Sequence, residues 1–225
     1  MTAKKIIFVT GTDTGVGKTL LSALLLHHLR QSPGRTLAMK PFCSGGLGDV
    51  RLLQALQPGE LSDREMNPYY FSEPIAPFAA AGKSRKIRLP EVVSSINHIK
   101  KQCDRLIIEG SGGLLVPLGE NFTVANLIAK LDCQVVVAAR NKLGTINHTL
   151  LTINVLKQIG INAKNLTIVL MSTAKPDLSS QTNLAVIKKF LPEISVFNLE
   201  FFGANACSEK KIRANHLKVE PICKK

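Results

Sequence analysis

The sequence predicts a doubly wound α/β fold, a mostly parallel sheet with helices on both faces, and three observations carry that expectation. Short apolar runs rich in β-branched residues alternate with longer helical patterns. Those runs are continuous rather than alternating, as strands buried on both faces require. A glycine-rich segment joins the first run to the first helix, the position at which such sheets receive ligands.

The runs that read as strands are Lys5–Thr10, Thr36–Lys40, Arg105–Glu109, Gln134–Ala139 and Leu166–Met171. Between them lie the helical patterns Lys18–Arg30, Leu89–Cys103, Val124–Lys130, Thr145–Ile159 and Gln181–Leu191. Their alternation implies strand–helix–strand units and hence a parallel sheet. Residues from about 42 to 88, with several Pro and Gly, form the longest irregular stretch, and so long a loop in a compact domain is more often functional than decorative. The span 1–225 reads as one domain, large enough to bury a sizeable core. It has no internal repeat or low-complexity linker, and the basic tail from about 204 to 225 has no structure that its pattern assigns.

Composition narrows the classes. A hydrophobic content of 45% excludes disorder as the general state. No apolar run approaches the roughly 20 residues that span a bilayer, and Ile6–Val9 is too short for a signal peptide. The five cysteines, Cys43, Cys103, Cys133, Cys207 and Cys223, form no CxxC pair. Odd, scattered thiols suit a reducing, cytoplasmic location and give no metal cluster. Lys and Arg total 29 against 16 Asp and Glu, a net charge of +13. Clusters such as Lys83, Arg85, Lys86 and Arg88, then Lys100, Lys101 and Arg105, hold much of it. The tail adds Lys210, Lys211, Arg213, Lys218, Lys224 and Lys225. With two Tyr and no Trp to stack on bases, the reading is a solvated basic surface that draws anionic small substrates. Nucleic acid and membrane partners are not expected.

The segment Gly11-Thr12-Asp13-Thr14-Gly15-Val16-Gly17-Lys18-Thr19 is a phosphate loop in the right context, after a strand and opening a helix. Its glycines let the backbone bend and turn N–H groups inward, where the positive end of the helix adds to them. Lys18 reaches toward β- and γ-phosphates, and the Thr19 hydroxyl is placed for Mg²⁺. Five residues rather than the usual four separate Gly11 from Gly17, so the loop is a variant. Thr14, Gly15, Val16, Gly17, Lys18, Thr19 and Leu20 are the expected nucleotide-binding residues here. Glu109 ends a buried strand and precedes Gly110-Ser111-Gly112-Gly113; a carboxylate there faces the ligand crevice. Asp49, in a Gly-rich loop, is the second candidate metal ligand, although such an acid alone is more often solvated. His27 and His28 read as packing or surface residues, and His148 as structural or interfacial.

Three further segments are specific: Met39-Lys40-Pro41-Phe42-Cys43-Ser44-Gly45, Asn67–Phe71 before Glu73-Pro74-Ile75-Ala76-Pro77, and Lys142-Leu143-Gly144-Thr145-Ile146-Asn147-His148. With the phosphate loop and Glu109–Gly113, they make the chain resemble the dethiobiotin synthetase family from about residue 5 to residue 160. The resemblance implies a phosphate-loop NTPase-like fold and an ATP-dependent cyclo-ligase. That enzyme converts 7,8-diaminopelargonic acid and CO₂ or bicarbonate to dethiobiotin through a carbamate and a carbamic-phosphoric anhydride, releasing ADP and phosphate. It implies Lys40 and Lys18 as catalytic lysines, and Thr19, Asp49 and Glu109 as ligands of Mg²⁺. Glu109, Gly110, Ser111 and Gly112 would also contact nucleotide. Thr12, Ser44, Leu143, Gly144 and Asn147 would bind substrate, the last three across a homodimer interface.

The chain departs from the family pattern at Met171–Pro176 and at Val196–Phe201, taken as the segment after the last strand. Those departures imply intact phosphate recognition with looser selection of the base. The rival reading is a phosphate-loop ATPase switch of the partitioning or cofactor-loading kind, for which the Lys40–Ser44 segment would have no use.

Overall fold

The structure, a computed structural model, describes residues 5–82 and 86–224. Lys83, Arg85 and Lys225 of the basic clusters, and the outermost residues of the span 1–225, lie outside the described residues. In chain order the strands are β1 (Lys5–Gly11), β2 (Thr36–Met39), β3 (Phe42–Ser44), β4 (Tyr69–Phe71) and β5 (Arg105–Glu109). They continue with β6 (Pro117–Gly119), β7 (Phe122–Thr123), β8 (Cys133–Arg140), β9 (Leu166–Met171) and β10 (Ser195–Leu199). The helices are α1 (Lys18–Leu29), α2 (Gly48–Ala55), α3 (Asp63–Met66), α4 (Pro77–Ala81) and α5 (Leu89–Lys100). Then come α6 (Val124–Ala129), α7 (Thr145–Gln158), α8 (Asn183–Phe190), α9 (Glu209–Asn215) and α10 (Glu220–Cys223).

Six strands form one parallel sheet in the order β10-β9-β8-β1-β5-β2. The chain leaves β1 for the β2 edge, returns through β5 and then travels outward through β8, β9 and β10. Right-handed crossovers change face when the direction of travel reverses, so α1 covers one face and the crossover helices α5, α7 and α8 the other. Contacts agree: α1 packs on β1, β2 and β5, and α7 packs on α8. Travel reverses beside β1, and its carboxyl end, the phosphate loop, sits at that switch point.

The five strands read from sequence are all present within a residue or two. The sheet has a sixth, β10, and its residues Val196–Leu199 belong to the segment that the sequence reading places beyond the last strand. The stretch beyond β10 is instead Glu200–Gly203. The pattern of β10, half-buried Ser195 and Phe197 with exposed Asn198, is that of an edge, not of a doubly covered strand. The irregular stretch after residue 42 resolves into the small parallel pair β3–β4 and three short helices. Phe42 and Tyr69 stack there with ring centroids 4.8 Å apart. On the β2 edge, the Gln57 amide takes the place of a neighbouring strand, accepting from Ala38 N at 2.8 Å and donating to Ala38 O at 2.7 Å.

The basic tail is also structured. Helix α1, KTLLSALLLHHL, is apolar nearly all round, and such a helix needs covering on both sides. The sheet covers one side. The other is covered by α9, the turn His216–Val219 and α10, which bury Ile212, Val219 and Ile222. Among the described residues all five cysteines are free, and no helix is long and apolar enough to cross a membrane.

Candidate active site

Four segments meet at the carboxyl edge of the sheet. The phosphate loop leaves β1 at Gly11, where a Cβ would come within 2.7 Å of Val16 and 3.3 Å of the Ala138 carbonyl. Thr12 N donates to that same carbonyl at 3.0 Å, tying the loop to β8. Gly17 caps α1 in the left-handed region at φ 105°, and a Cβ there would lie 2.9 Å from the Met171 methyl. No L side chain satisfies both demands. Sequence reasoning does not single out Arg140, at the end of β8, whose guanidinium donates to the Gly15 carbonyl. The signal is the strand order, which sets β8 beside β1 and cannot be read along the chain.

Lys40 follows β2 and is fixed by its backbone. Its N–H donates to Met66 O at 3.0 Å, and its carbonyl accepts from Asn67 Nδ2 at 2.6 Å. This explains the Asn67–Phe71 segment: it is the mould for the turn that aims Lys40. The Lys40 ammonium donates to Glu109 Oε1 at 2.7 Å and to Asp49 Oδ2. Thr19 Oγ1 donates to the same Glu109 oxygen at 2.7 Å. Glu109 is 1% exposed, and its second oxygen, Oε2, is buried with no hydrogen-bond partner.

The electrostatics follow from this packing. Burial alone would drive the Lys40 amine toward neutrality, but the Glu109 and Asp49 carboxylates outweigh it and hold Lys40 above the usual lysine range. Lys18 lies in the same cluster and is depressed to about 8, chiefly by burial, with Glu109 opposing and Lys40 reinforcing the fall. Its ammonium donates to the Asp13 carbonyl at 2.8 Å, within its own loop. Two lysines thus face two carboxylates.

The oxygens of Thr19, Asp49 and Glu109 make a donor set that fits magnesium. That ion takes one or two carboxylates and completes its shell with phosphate and water oxygens. The unpartnered Glu109 Oε2 is the observation that favours it. Among the described residues no cluster of three or more His, Cys, Asp or Glu side chains forms a closed metal site.

These groups line a cavity of about 680 Å³. Thr14, Gly15, Gly17, Lys18, Thr19, Leu20, Lys40, Ser44, Asp49, Glu109, Ser111 and Gly112 all border it, so most of the sequence-derived site is gathered in one place. Ser44 Oγ is buried without a hydrogen-bond partner. Val16 and Gly110 are buried behind the lining, and a Cβ on Gly110 would press on Phe8 at 3.0 Å. Their contribution is to loop shape. Thr12 is half-buried and outside the cavity wall.

Leu143, Gly144 and Asn147 do not line the cavity either. Gly144 caps α7 at φ 92°, Leu143 is 79% exposed, and Asn147 borders a separate cleft with Leu150 and Leu151. The Pro74–Pro77 segment and Cys207 do line the cavity. Along the sequence Cys207 is only a scattered thiol, because nothing in a tail without periodicity shows that it folds back over α1.

Comparison with known proteins bears on what this site belongs to. Residues 5–203 match a family model described as an AAA domain. The ATP-dependent dethiobiotin synthetase BioD of Bacillus licheniformis is 42% identical over 189 residues, covering 81% of this chain and 80% of that protein. Its counterpart from Methanocaldococcus jannaschii is 34% identical over 202 residues, covering 88% and 92%. This chain belongs to the dethiobiotin synthetase family. Among solved structures, a plasmid partition protein from Borrelia burgdorferi bound to AMPPNP overlays with a TM-score of 0.65 at 12% identity, covering 98% of each chain. A chain of the MinC:MinD cell division protein complex of Aquifex aeolicus gives 0.63 at 13% identity, covering 98% of this chain and 96% of that one. At such identities these likenesses establish the phosphate-loop fold and nothing about the reaction. The rival ATPase-switch reading therefore gains no support beyond the shared fold.

Proposed function

We propose that this chain is an ATP-dependent ligase that closes the ureido ring of dethiobiotin, and that Lys40, Lys18, Thr19, Asp49 and Glu109 are its working residues. One amine of 7,8-diaminopelargonic acid adds to CO₂, losing a proton, to give a carbamate. A carbamate oxygen attacks the γ-phosphorus of ATP, and ADP leaves. The second amine then attacks the carbamoyl carbon, the C–O bond breaks, and phosphate departs with that oxygen as the ring closes.

A carbamate and a triphosphate are both anions, so bringing them into contact requires fixed positive charge. Lys18 and Lys40, which both line the one cavity, supply it, and the charge serves again as the phosphoryl group transfers. Thr19, Asp49 and Glu109 would hold magnesium, which when bound neutralises charge on the β- and γ-phosphates. The Ser44 hydroxyl, unpartnered at the cavity wall, is placed to accept from a substrate amine or donate to the carbamate. Holding a short-lived carbamate beside the nucleotide gives the main proximity gain.

The observation that carries this reading is the convergence of Lys40, from the strand-end loop, with Glu109, Asp49 and Thr19. A simple ATP switch has no need of a second lysine clamped to its metal ligands. A homodimer is part of the same proposal. Its support is that Leu143, Gly144 and Asn147 miss their own chain's cavity while Leu143 and Leu151 stand 79% and 58% exposed. The start of α7 in a second subunit would present its free N–H groups to the substrate carboxylate.

One assay tests both reaction and base choice: diaminopelargonic acid, bicarbonate and magnesium with ATP, GTP or CTP, scored for dethiobiotin. The expected outcome is dethiobiotin with each nucleotide, because the stretch Met171–Pro176, where the family resemblance weakens, holds no asparagine and no acid. No product with any nucleotide sinks the ligase reading. Product with ATP alone sinks only the looser base selection.

A further inference from the structure

Three imidazoles meet where the C-terminal segment docks on α1, far along that helix from the reacting groups. The His216 ring is edge-on to His27 with centroids 4.8 Å apart and tilted against His28 at 5.6 Å. His216 Nδ1 and His28 Nδ1 are 3.4 Å apart. The charged groups that face the cluster are known from each element around it. Arg30 at the end of α1 and Arg213 on α9 face His27, while Glu220 and Lys224, at and beyond α10, face His28. Each of those cations is also ion-paired, Arg30 with Glu60, Arg213 with Glu209 and Lys224 with Glu220, and the one acid that faces a ring, Glu220, is thereby engaged, which disfavours a bound metal ion as their purpose.

We propose that His27, His28 and His216 form an acid-sensitive clasp, whose protonation releases the C-terminal segment 209–223 from α1. The contact between the two Nδ1 atoms needs one N–H and one lone pair, so at least one of those rings must be neutral. When both are protonated, two N–H groups point at one another across 3.4 Å, with Arg30, Arg213 and Lys224 adding like charge.

The pH sense follows from linkage. His27 and His28 are held below the usual imidazole value, first by burial and then by the His216 charge. A base with a lower pKa when docked binds fewer protons docked than free. Docking is therefore at full strength above the free imidazole value of about 6.5 and weakens as pH falls below it. Ile212, Val219 and Ile222 hold the segment when the rings are neutral. The clasp also bears on the site, because Cys207, just before α9, lines the reaction cavity. Releasing the segment would loosen the chain that carries this one lining residue.

This inference stands on the fold and not on the ligase reading, and hydrogen exchange tests it without any activity. Amides of residues 209–223 are compared with those of β1 and β8 in the full chain, corrected for intrinsic rates, at about pH 8 and about pH 5.5. The segment's protection relative to the sheet is expected to fall about tenfold or more on acidification, since protection tracks the opening equilibrium. In the His28→Gln, His216→Gln double variant that pH dependence should shrink to what His27 alone, still buried beside Arg30 and Arg213, supplies. If this variant simply leaves the segment open at both pH values, Arg213→Gln decides. It keeps the rings, removes a facing cation and should move the release to lower pH. Unchanged relative protection in the wild type overturns the proposal. So does undiminished pH dependence in the double variant, or an Arg213→Gln profile that superimposes on the wild type.

Discussion

Replacing Lys40 by alanine is expected to lower dethiobiotin turnover about 10²–10³-fold, the scale on which one preorganised group at a developing charge is felt. The affinity for magnesium nucleotide should change far less, because the phosphate loop with Lys18 and Thr19 remains. The separation follows from how Lys40 is held. Its backbone is moulded by Met66 and Asn67, outside the phosphate loop, so its loss does not unmake the cradle. Its removal does leave Glu109, almost wholly buried, without its cation. Lys40→Gln is therefore the companion variant: it removes the charge but offers an amide donor, one bond shorter, toward Glu109 and Asp49. Turnover by the glutamine variant within a few-fold of wild type would show that Lys40 serves packing and not the reaction.

Glu109→Gln is expected to be nearly as severe. The isosteric amide retains an oxygen for Thr19 Oγ1 and Lys40 but removes the carboxylate charge that fixes magnesium and balances two lysines. Turnover should fall by about two orders of magnitude, again the scale of one electrostatic contact, and half-saturation should need more magnesium. The variant leaves Lys40 paired only with Asp49, a carboxylate whose side chain is 44% exposed. Breaking a fully buried pair costs about 3–5 kcal/mol, and the remaining partner should keep the loss below that range. A magnesium titration of turnover, with thermal unfolding alongside, separates the two effects. An unchanged magnesium requirement would remove Glu109 from the metal site.

Much of this architecture is legible along the chain, for identifiable reasons. Strands buried on both faces write themselves as continuous apolar runs, and β1, β2, β5, β8 and β9 all do. Lys40 and Glu109 are legible because each follows or ends a strand, and carboxyl ends of parallel strands share one edge; Asp49 is less so, since it lies in the first turn of α2 and not in the loop that the glycines around it suggest. The edge strand β10 is not, since its mixture of half-buried and exposed residues matches neither the continuous nor the alternating pattern. The helices after Glu209 are too short to show a period. Their presence is encoded indirectly, in an α1 so uniformly apolar that something has to cover its outer side. Arg140 and Cys207 reach the site only through strand order and chain return, which are properties of the fold and not of any local segment. The placement of Leu143, Gly144 and Asn147 away from the cavity is equally a property of the fold, and under the proposed homodimer they would meet substrate held by a second subunit.

The oxygen balance of the proposed reaction gives its most direct test. If a carbamate oxygen attacks the γ-phosphorus and the carbamoyl C–O bond later breaks, one oxygen of CO₂ leaves on phosphate. With ¹⁸O-labelled bicarbonate, diaminopelargonic acid and magnesium nucleotide, each phosphate released should therefore carry one oxygen from bicarbonate. Phosphate that takes its new oxygen from water instead would contradict the carbamate mechanism and return the chain to the class of nucleotide switches.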